Sequence, residues 1–304
     1  MADGPIIECV PNFSEGMDAG KVEEIVRSMR VDGVHLLDWS RDADHNRSVV
    51  TIAGAPEAVC EAAVRAAGMA AKLIDLTQQT GVHPRIGAAD VIPFVPVSGV
   101  SLVQCAMLAR QAGVAIWRRF GVPVYFYEAA ASRPDRVNLE DVRRGQFEGL
   151  LKDVKADVTR QPDVGGPELH ATAGASAVGA RKFLIAYNIY LRESDVSLAR
   201  AIAREIRASS GGLLGVKAMG VLANGRAQVS MNITDFQRTP MPKVHAAVRD
   251  MAERHGAAIA EGEVIGLIPE EAYEPNAEWV RQTVDFDPES KVLERRLRHP
   301  LDWP

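Results

Sequence analysis

The chain has 304 residues, of which 47% are apolar and 25% charged, and its formal net charge is −5. That length outgrows one small core and suits two domains, and the composition excludes a disordered chain. An acidic balance without a basic stripe argues against a nucleic-acid partner, because the densest basic runs, RQAGVAIWRR and LERRLRHP, fit solvated helix faces.

Apolar stretches such as AAVRAAGMAAKLI are interrupted by Arg65 and Lys72, so no membrane-spanning helix is readable. The opening MADGPIIECV shows no basic region followed by a long apolar run, so no secretory signal is expected. Cys9, Cys60 and Cys105 are odd in number and far apart. They are expected as reduced thiols in the cytosol. Neither CxxC nor HExxH appears, so no metal is expected.

In chain order, IIECVPNF reads as a strand and DAGKVEEIVRSMR as a helix. VHLLDWS and RSVVTIAG then form a strand pair. Pro56 suits the first position of a helix, in which Val59, Ala63, Ala66, Ala70 and Leu73 recur at helical spacing. After TQQTGVHPRIGAAD comes VIPFVPV, a strand whose Pro93 and Pro96 cannot donate to a ladder and so predict a sheet edge. Ser101 and Gln104 form a capping-box pattern for the next helix, and GVPVYFYEAA is a further strand. In the second half, FLIAYNIYL is a strand and Asp195 caps the helix DVSLARAIAREIR. LLGVKAMGVL and RAQVSMNIT pair around an Asn224-Gly225 turn. Pro242 opens a helix with Val244, Ala247, Val248 and Met251 on one face, and AIAEGEVIGLI closes the unit as a strand. The tail VDFDPESKVLERRLRH is expected as a loop and a charged terminal helix.

Both halves thus run strand, helix, strand, strand, helix, strand. This predicts an α+β protein of two ferredoxin-like (βαββαβ) subdomains in tandem. The segment QPDVGGPELHATAGASAVGARK, rich in Gly, Ala and Pro, is expected as the junction, giving domains 1–180 and 181–304.

Three polar segments can carry chemistry. TGVHPRIGAAD is a long connection with little apolar periodicity, the kind of loop that is often functional. It holds His83, whose backbone is restrained by Pro84, with Arg85 two residues on and Asp90 as a charge partner. A positioned neutral imidazole accepts protons near neutral pH, although a surface histidine in a turn fits the pattern equally. RDADHNRSVV crowds Asp42, Asp44, His45, Asn46 and Arg47 at the start of a strand. That cluster can orient a histidine or grip a carboxylate, or it can be a polar hairpin loop. In PNFSEG, Asn12 offers a donor and an acceptor. The Gly-rich segment lacks GK[ST] and is no phosphate loop, while Arg181 and Lys182 at its end can bind anions.

At ECVPNFSEG, DHNRSVVTIAG, GVHPRIGAADVIPFVPV and GARKFLIAYNIYL the sequence resembles the glutamate formimidoyltransferases, the folate-dependent family of histidine breakdown. The resemblance runs from about Ile6 to the GLIPEEA segment near Ala272. It implies two ferredoxin-like units with folate in the cleft between them. It also implies transfer of a formimino group from N-formimino-L-glutamate to tetrahydrofolate as co-substrate, giving 5-formiminotetrahydrofolate and glutamate. The family's catalytic histidine falls on His83. An acidic helper is implied among Asp38, Asp42 and Asp44, with Asp44 as the candidate. Asp163, Gly165, Gly166, Pro167, His170 and Gly174 inherit the folate-binding role. Asn12, Arg47, Arg85, Arg181 and Lys182 are expected to hold the substrates, whose carboxylates suit arginine and lysine. The resemblance further implies a cytoplasmic homodimer, and a separate protein for the cyclodeaminase step, since the fused half found in animal relatives is not in this sequence. Formyl transfer between glutamate and tetrahydrofolate, and folate binding without turnover, are the alternative activities.

Overall fold

A computed structural model of the chain describes residues 4–43, 45–81, 83–223 and 225–304. The fold is mixed α+β with two sheets. One unit runs up to Arg181 and takes back Pro300–Pro304, and the other spans Lys182–His299.

In the first unit, β1 (Ile6–Cys9) and β2 (Asn12–Phe13) are two pieces interrupted at Val10 and Pro11, since Pro11 has no N–H to give a ladder. Helix α1 (Ala19–Ser28) starts at Asp18, whose side chain accepts the Lys21 N–H, and buries Val22, Ile25 and Val26 at helical spacing. The expected strand pair is β3 (Val34–Asp42) with β4 (Arg47–Gly54), antiparallel. Helix α2 (Pro56–Leu73) opens on Pro56 and buries Val59, Ala63, Ala66 and Ala70. After β5 (Ala89–Ser98), α3 (Leu102–Phe120) begins with the Ser101–Gln104 capping box that the sequence predicts. Then come β6 (Val124–Glu128), α4 (Leu139–Val142), α5 (Gln146–Ala156) and β7 (Ser176–Ala180). Across the sheet the order is β3, β4, β1 with β2, β5, β7, β6, and only β7 pairs in parallel, with β5 and with β6.

Two expectations change here. The proline-bearing strand is not an edge: β5 lies between β1 and β7, and its residues Ala89–Val95 are buried. The sheet tolerates the prolines because of where they fall. Pro93 faces the interruption in the first strand, where its carbonyl accepts the Val10 N–H at 3.3 Å. Pro96 lies beyond the last pair with β7, Phe94↔Ala180. The segment expected as a junction supplies β7, every residue of which is buried. Its small side chains fit where larger ones cannot. A Cβ at Gly179 would stand 2.5 Å from the Tyr127 ring. Upstream, Val124 and Val164 exchange backbone hydrogen bonds at 2.9 and 3.1 Å, so the same segment covers part of the β6 edge. The last residues return to β3, where Leu301 N–H donates to the Leu36 carbonyl at 2.8 Å.

The second unit holds a four-stranded sheet in the order β11 (Ile259–Ile265), β8 (Ile185–Leu191), β10 (Arg226–Ile233), β9 (Val216–Ala223), antiparallel throughout. Strict alternation of buried and half-buried residues along β8 shows one face turned into a core. Helices α6 (Val196–Ile206), capped by Asp195 as expected, and α7 (Met241–Arg254) pack against this unit's core with Ile202, Ile206, Val244 and Val248. Of the expected hairpin turn, Asn224 lies outside the described residues and Gly225 has a φ of +71°. The charged tail forms two short helices, α8 (Pro288–Lys291) and α9 (Leu293–Arg296), where one was expected, with Val292 and Leu293 buried at their junction. No helix among the described residues is long and apolar enough to cross a membrane.

Candidate active site

The chemistry-bearing residues of the first unit gather where β2, β4 and β5 run side by side. Asn12 pairs with Val49 on one side and Val91 on the other, which puts it next to the start of β4 and the start of β5. Its Oδ1 accepts from Arg47 Nε at 3.2 Å and Nη2 at 2.9 Å, and its Nδ2 donates to the Val10 carbonyl at 2.7 Å. Arg47 Nη1 then reaches Asp90 Oδ2 at 2.9 Å. Asp90 is fully buried. Its Oδ2 also receives Arg143 Nη2, and its Oδ1 accepts the Ile86 N–H at 2.8 Å. Burial alone raises a carboxyl, but the Arg143 and Arg47 guanidiniums hold Asp90 below its ordinary value. Burial pulls the Arg47 guanidinium down to about 10, against the attraction of Asp90.

The loop that ends in Ile86 carries His83, which is half-buried. Its Nδ1 lies 2.8 Å from the Pro84 carbonyl oxygen. A carbonyl only accepts, so Nδ1 holds the hydrogen and Nε2 is left with its lone pair. Burial, Arg47 and Arg143 lower the His83 pKa to about 4, while the Pro84 carbonyl and Asp90 oppose them. The ring of His45 stands edge-on at 6.4 Å, with Nδ1 held by Asp42 Oδ2 at 2.8 Å. Of the acidic helpers, Asp38 sits on β3 opposite Thr51, Asp42 orients His45, and Asp44 lies outside the described residues.

Neighbouring backbone is tied down tightly around this loop. Gln79 Nε2 donates to the carbonyls of Ser14 (2.9 Å) and Asn46 (3.0 Å), and Asn46 Nδ2 donates to the Thr80 carbonyl at 2.8 Å. Arg85 belongs to this scaffolding. Its guanidinium binds Glu148 at 2.8 Å and the Gln79 carbonyl at 3.0 Å, so it joins α5 to the loop.

The Gly-rich residues form a second group. Asp163 accepts from the Phe126 N–H and from Arg136, each at 2.8 Å, and from the Ser132 hydroxyl, which anchors the segment to β6. Gly165 lies under the Trp117 ring, and Gly166 and Pro167 follow it beside Pro162. His170 and Gly174 close a turn by mutual backbone hydrogen bonds of 2.9 and 3.0 Å, and His170 Nδ1 accepts the Ala173 N–H at 3.0 Å. Gly174 has a φ of +68°, and a Cβ there would stand 2.1 Å from the Ile86 carbonyl oxygen. The turn therefore lies directly on the loop that carries His83. Arg181 follows β7 with its N–H on the Phe94 carbonyl at 3.1 Å, and Lys182 is the exposed first residue of the second unit.

Asn12, Arg47 and His83 thus come together, with the His170–Gly174 turn adjoining them, while Arg85 and Asp163 are engaged as anchors. Sequence reasoning missed Arg143. Nothing in the run of charged residues around it distinguishes it. Among the described residues no group of three His, Cys, Asp or Glu is placed to hold a metal ion.

Residues 6–181 match the formiminotransferase domain, N-terminal subdomain, and residues 186–295 match the formiminotransferase domain. The chain is 41% identical over 295 residues to a glutamate formimidoyltransferase of Streptococcus pyogenes, covering 96% of this chain and 98% of that protein. It is also 41% identical over 296 residues to a protein of the same description from Thermoplasma acidophilum, covering 96% and 97%. With the formimidoyltransferase-cyclodeaminase of Gallus gallus it shares 40% identity over 283 residues, which cover 90% of this chain and 52% of that protein.

Proposed function

The chain belongs to the formiminotransferase family, and from that premise we propose that His83 is the proton-transfer residue of a glutamate formimidoyltransferase. The enzyme moves the formimino group of N-formimino-L-glutamate to tetrahydrofolate, giving 5-formiminotetrahydrofolate and glutamate. The observation that carries the proposed role of His83 is its Nδ1 contact with Pro84, which leaves Nε2 unprotonated beside two arginines. Folate N5 attacks the formimino carbon of the protonated amidine, and the new C–N bond forms as the C=N electrons move to the terminal imino nitrogen. His83 Nε2 takes the proton that N5 loses. The lone pair of the terminal nitrogen then restores the C=N bond as the C–N bond to glutamate breaks, and the departing glutamate amine receives that proton back from the imidazolium.

Arg47 faces the donor as its cationic contact, with Asn12 fixing the guanidinium plane. Gly165, Gly166, Pro167, His170 and Gly174 line the folate side, with Asp163 anchoring their segment to β6, and the seat of the His170–Gly174 turn on the Ile86 carbonyl supports this for those two residues. Arg181 and Lys182 serve the carboxylates. Each unit is read as ferredoxin-like, supported by a strand–helix–strand–strand–helix–strand run, which in the first unit ends at β5 and is followed by α3, β6 and β7. The compartment is the cytoplasm, in keeping with three free thiols. A cyclodeaminase is the partner that the product calls for.

Purified protein given tetrahydrofolate should consume formiminoglutamate faster than formylglutamate in a spectrophotometric assay. Turnover of the formyl donor alone would replace the assignment, and folate binding with no turnover of either donor would leave a binding protein. Self-association into a homodimer is also expected. The exposed apolar side chains of Val103 and Met107, one turn apart on α3, favour it. Light scattering that returns a monomer mass at every concentration refutes the dimer.

A further inference from the structure

The positive charge beside His83 does not come from the loop that carries it. Arg143 lies just past α4, on a segment far along the chain, and its side chain is only 15% exposed. It meets Arg47 on one oxygen of Asp90, a carboxylate with no exposure. Two guanidiniums on one carboxylate leave a net positive charge in a poorly solvated place. Resting on the reading of His83 as the proton-transfer group, we propose that Arg143 is a positioning residue for formimino transfer: paired with Arg47 on Asp90, whose other oxygen holds the Ile86 N–H of the loop that carries His83, it sets the charge beside that loop.

The other charged groups near the ring do not supply this effect. His45 stands edge-on and is held by Asp42. Arg85 is turned into Glu148. Asp90 opposes the effect, and its own charge is taken up by the two arginines. Burial, Arg47 and Arg143 together bring the ring to about 4. A purely structural Arg143 would hold α4 to β5 and leave the titration of His83 where it was.

The test is NMR titration of the His83 Cε1–H resonance in the full-length protein, beside pH profiles of kcat/KM for formiminoglutamate. The wild-type ring should titrate below the ordinary histidine value of about 6.5. Arg143→Gln should move the midpoint upward by about one pH unit, and the acid limb of kcat/KM should move with it. Arg143→Lys should restore much of the difference. Arg144→Gln is the control, because the Arg144 guanidinium pairs with Asp141, and it should move neither. A folded Arg143→Gln protein with unchanged His83 titration overturns the proposal. So does a wild-type ring that titrates at or above about 6.5, a result that needs no variant to fold. If the NMR shift is present and no formimino turnover is found, the reaction assignment fails and the charge coupling stands.

Discussion

His83→Ala is expected to lower turnover by about 10²–10⁴-fold while leaving folate affinity within a few-fold. The imidazole Nδ1 donates to the Pro84 carbonyl, which leaves the Nε2 lone pair free, and the folate contacts are assigned to other residues. The two pH profiles of the wild type should differ. In the free enzyme the ring is lowered to about 4, so the acid limb of kcat/KM should lie well below the ordinary histidine value. The donor brings carboxylates that offset Arg47 and Arg143, so the limb of kcat should lie higher. Both limbs should vanish from the residual activity of the mutant. Stability carries the same signature. A histidine whose folded value is depressed stays neutral while the unfolded chain protonates, so this stability is lost as pH falls from about 6.5 toward about 4. His83→Ala should flatten that part of a melting-temperature profile. Near-normal turnover in a folded mutant would remove His83 from the mechanism and make His45 the next residue to test.

Asp90→Asn should be the most destabilising single change at the site. The amide keeps the shape and can still accept the Ile86 N–H, but it leaves Arg47 and Arg143 facing each other without their counter-ion. Removing one partner of a buried ion pair costs roughly 3–5 kcal/mol, a large share of a domain's typical stability of about 5–15 kcal/mol. Urea unfolding should show a lower midpoint at unchanged slope. Turnover should fall as well, because Arg47 loses the contact that aims it. In the wild type this carboxylate is held below its ordinary value, so its contribution is present above about pH 4 and is lost as pH falls through the folded value. A mutant within about 1 kcal/mol of wild type would show that the two arginines do not depend on Asp90.

The regular elements were legible because local chemistry and packing agree in them. The Ser101–Gln104 capping box, the Asp195 cap and the helical spacing of Val59, Ala63, Ala66 and Ala70 all read the same at both levels. What escaped was decided by distant partners. SAVGA reads as loop because its residues are small, yet smallness is what the space beside Tyr127 requires. Pro93 signals an edge by a rule that holds only if the neighbouring strand is continuous, and Pro11 breaks that strand. Within the site, His83 stood out through its loop and its proline. Asp90 was visible as a charge, but its partners were not. Arg47 reaches it across the sheet and Arg143 from a segment with no apolar periodicity, while Arg85, close in sequence, turns to Glu148.

Because Asp90 sits on β5, with paired strands on either side, the anchor of the site has no way to open by itself. Fraying at β3 or β6 leaves it untouched, and freeing it requires the middle of the sheet to come apart. Amide hydrogens of β5 should therefore exchange only with cooperative unfolding of the first unit, while those around Thr80 and Gly81 can exchange through small openings. Partial denaturation should then give no population that is folded in this unit and lacks the Asp90 anchor. Loss of that anchor and loss of the first unit's structure become a single event.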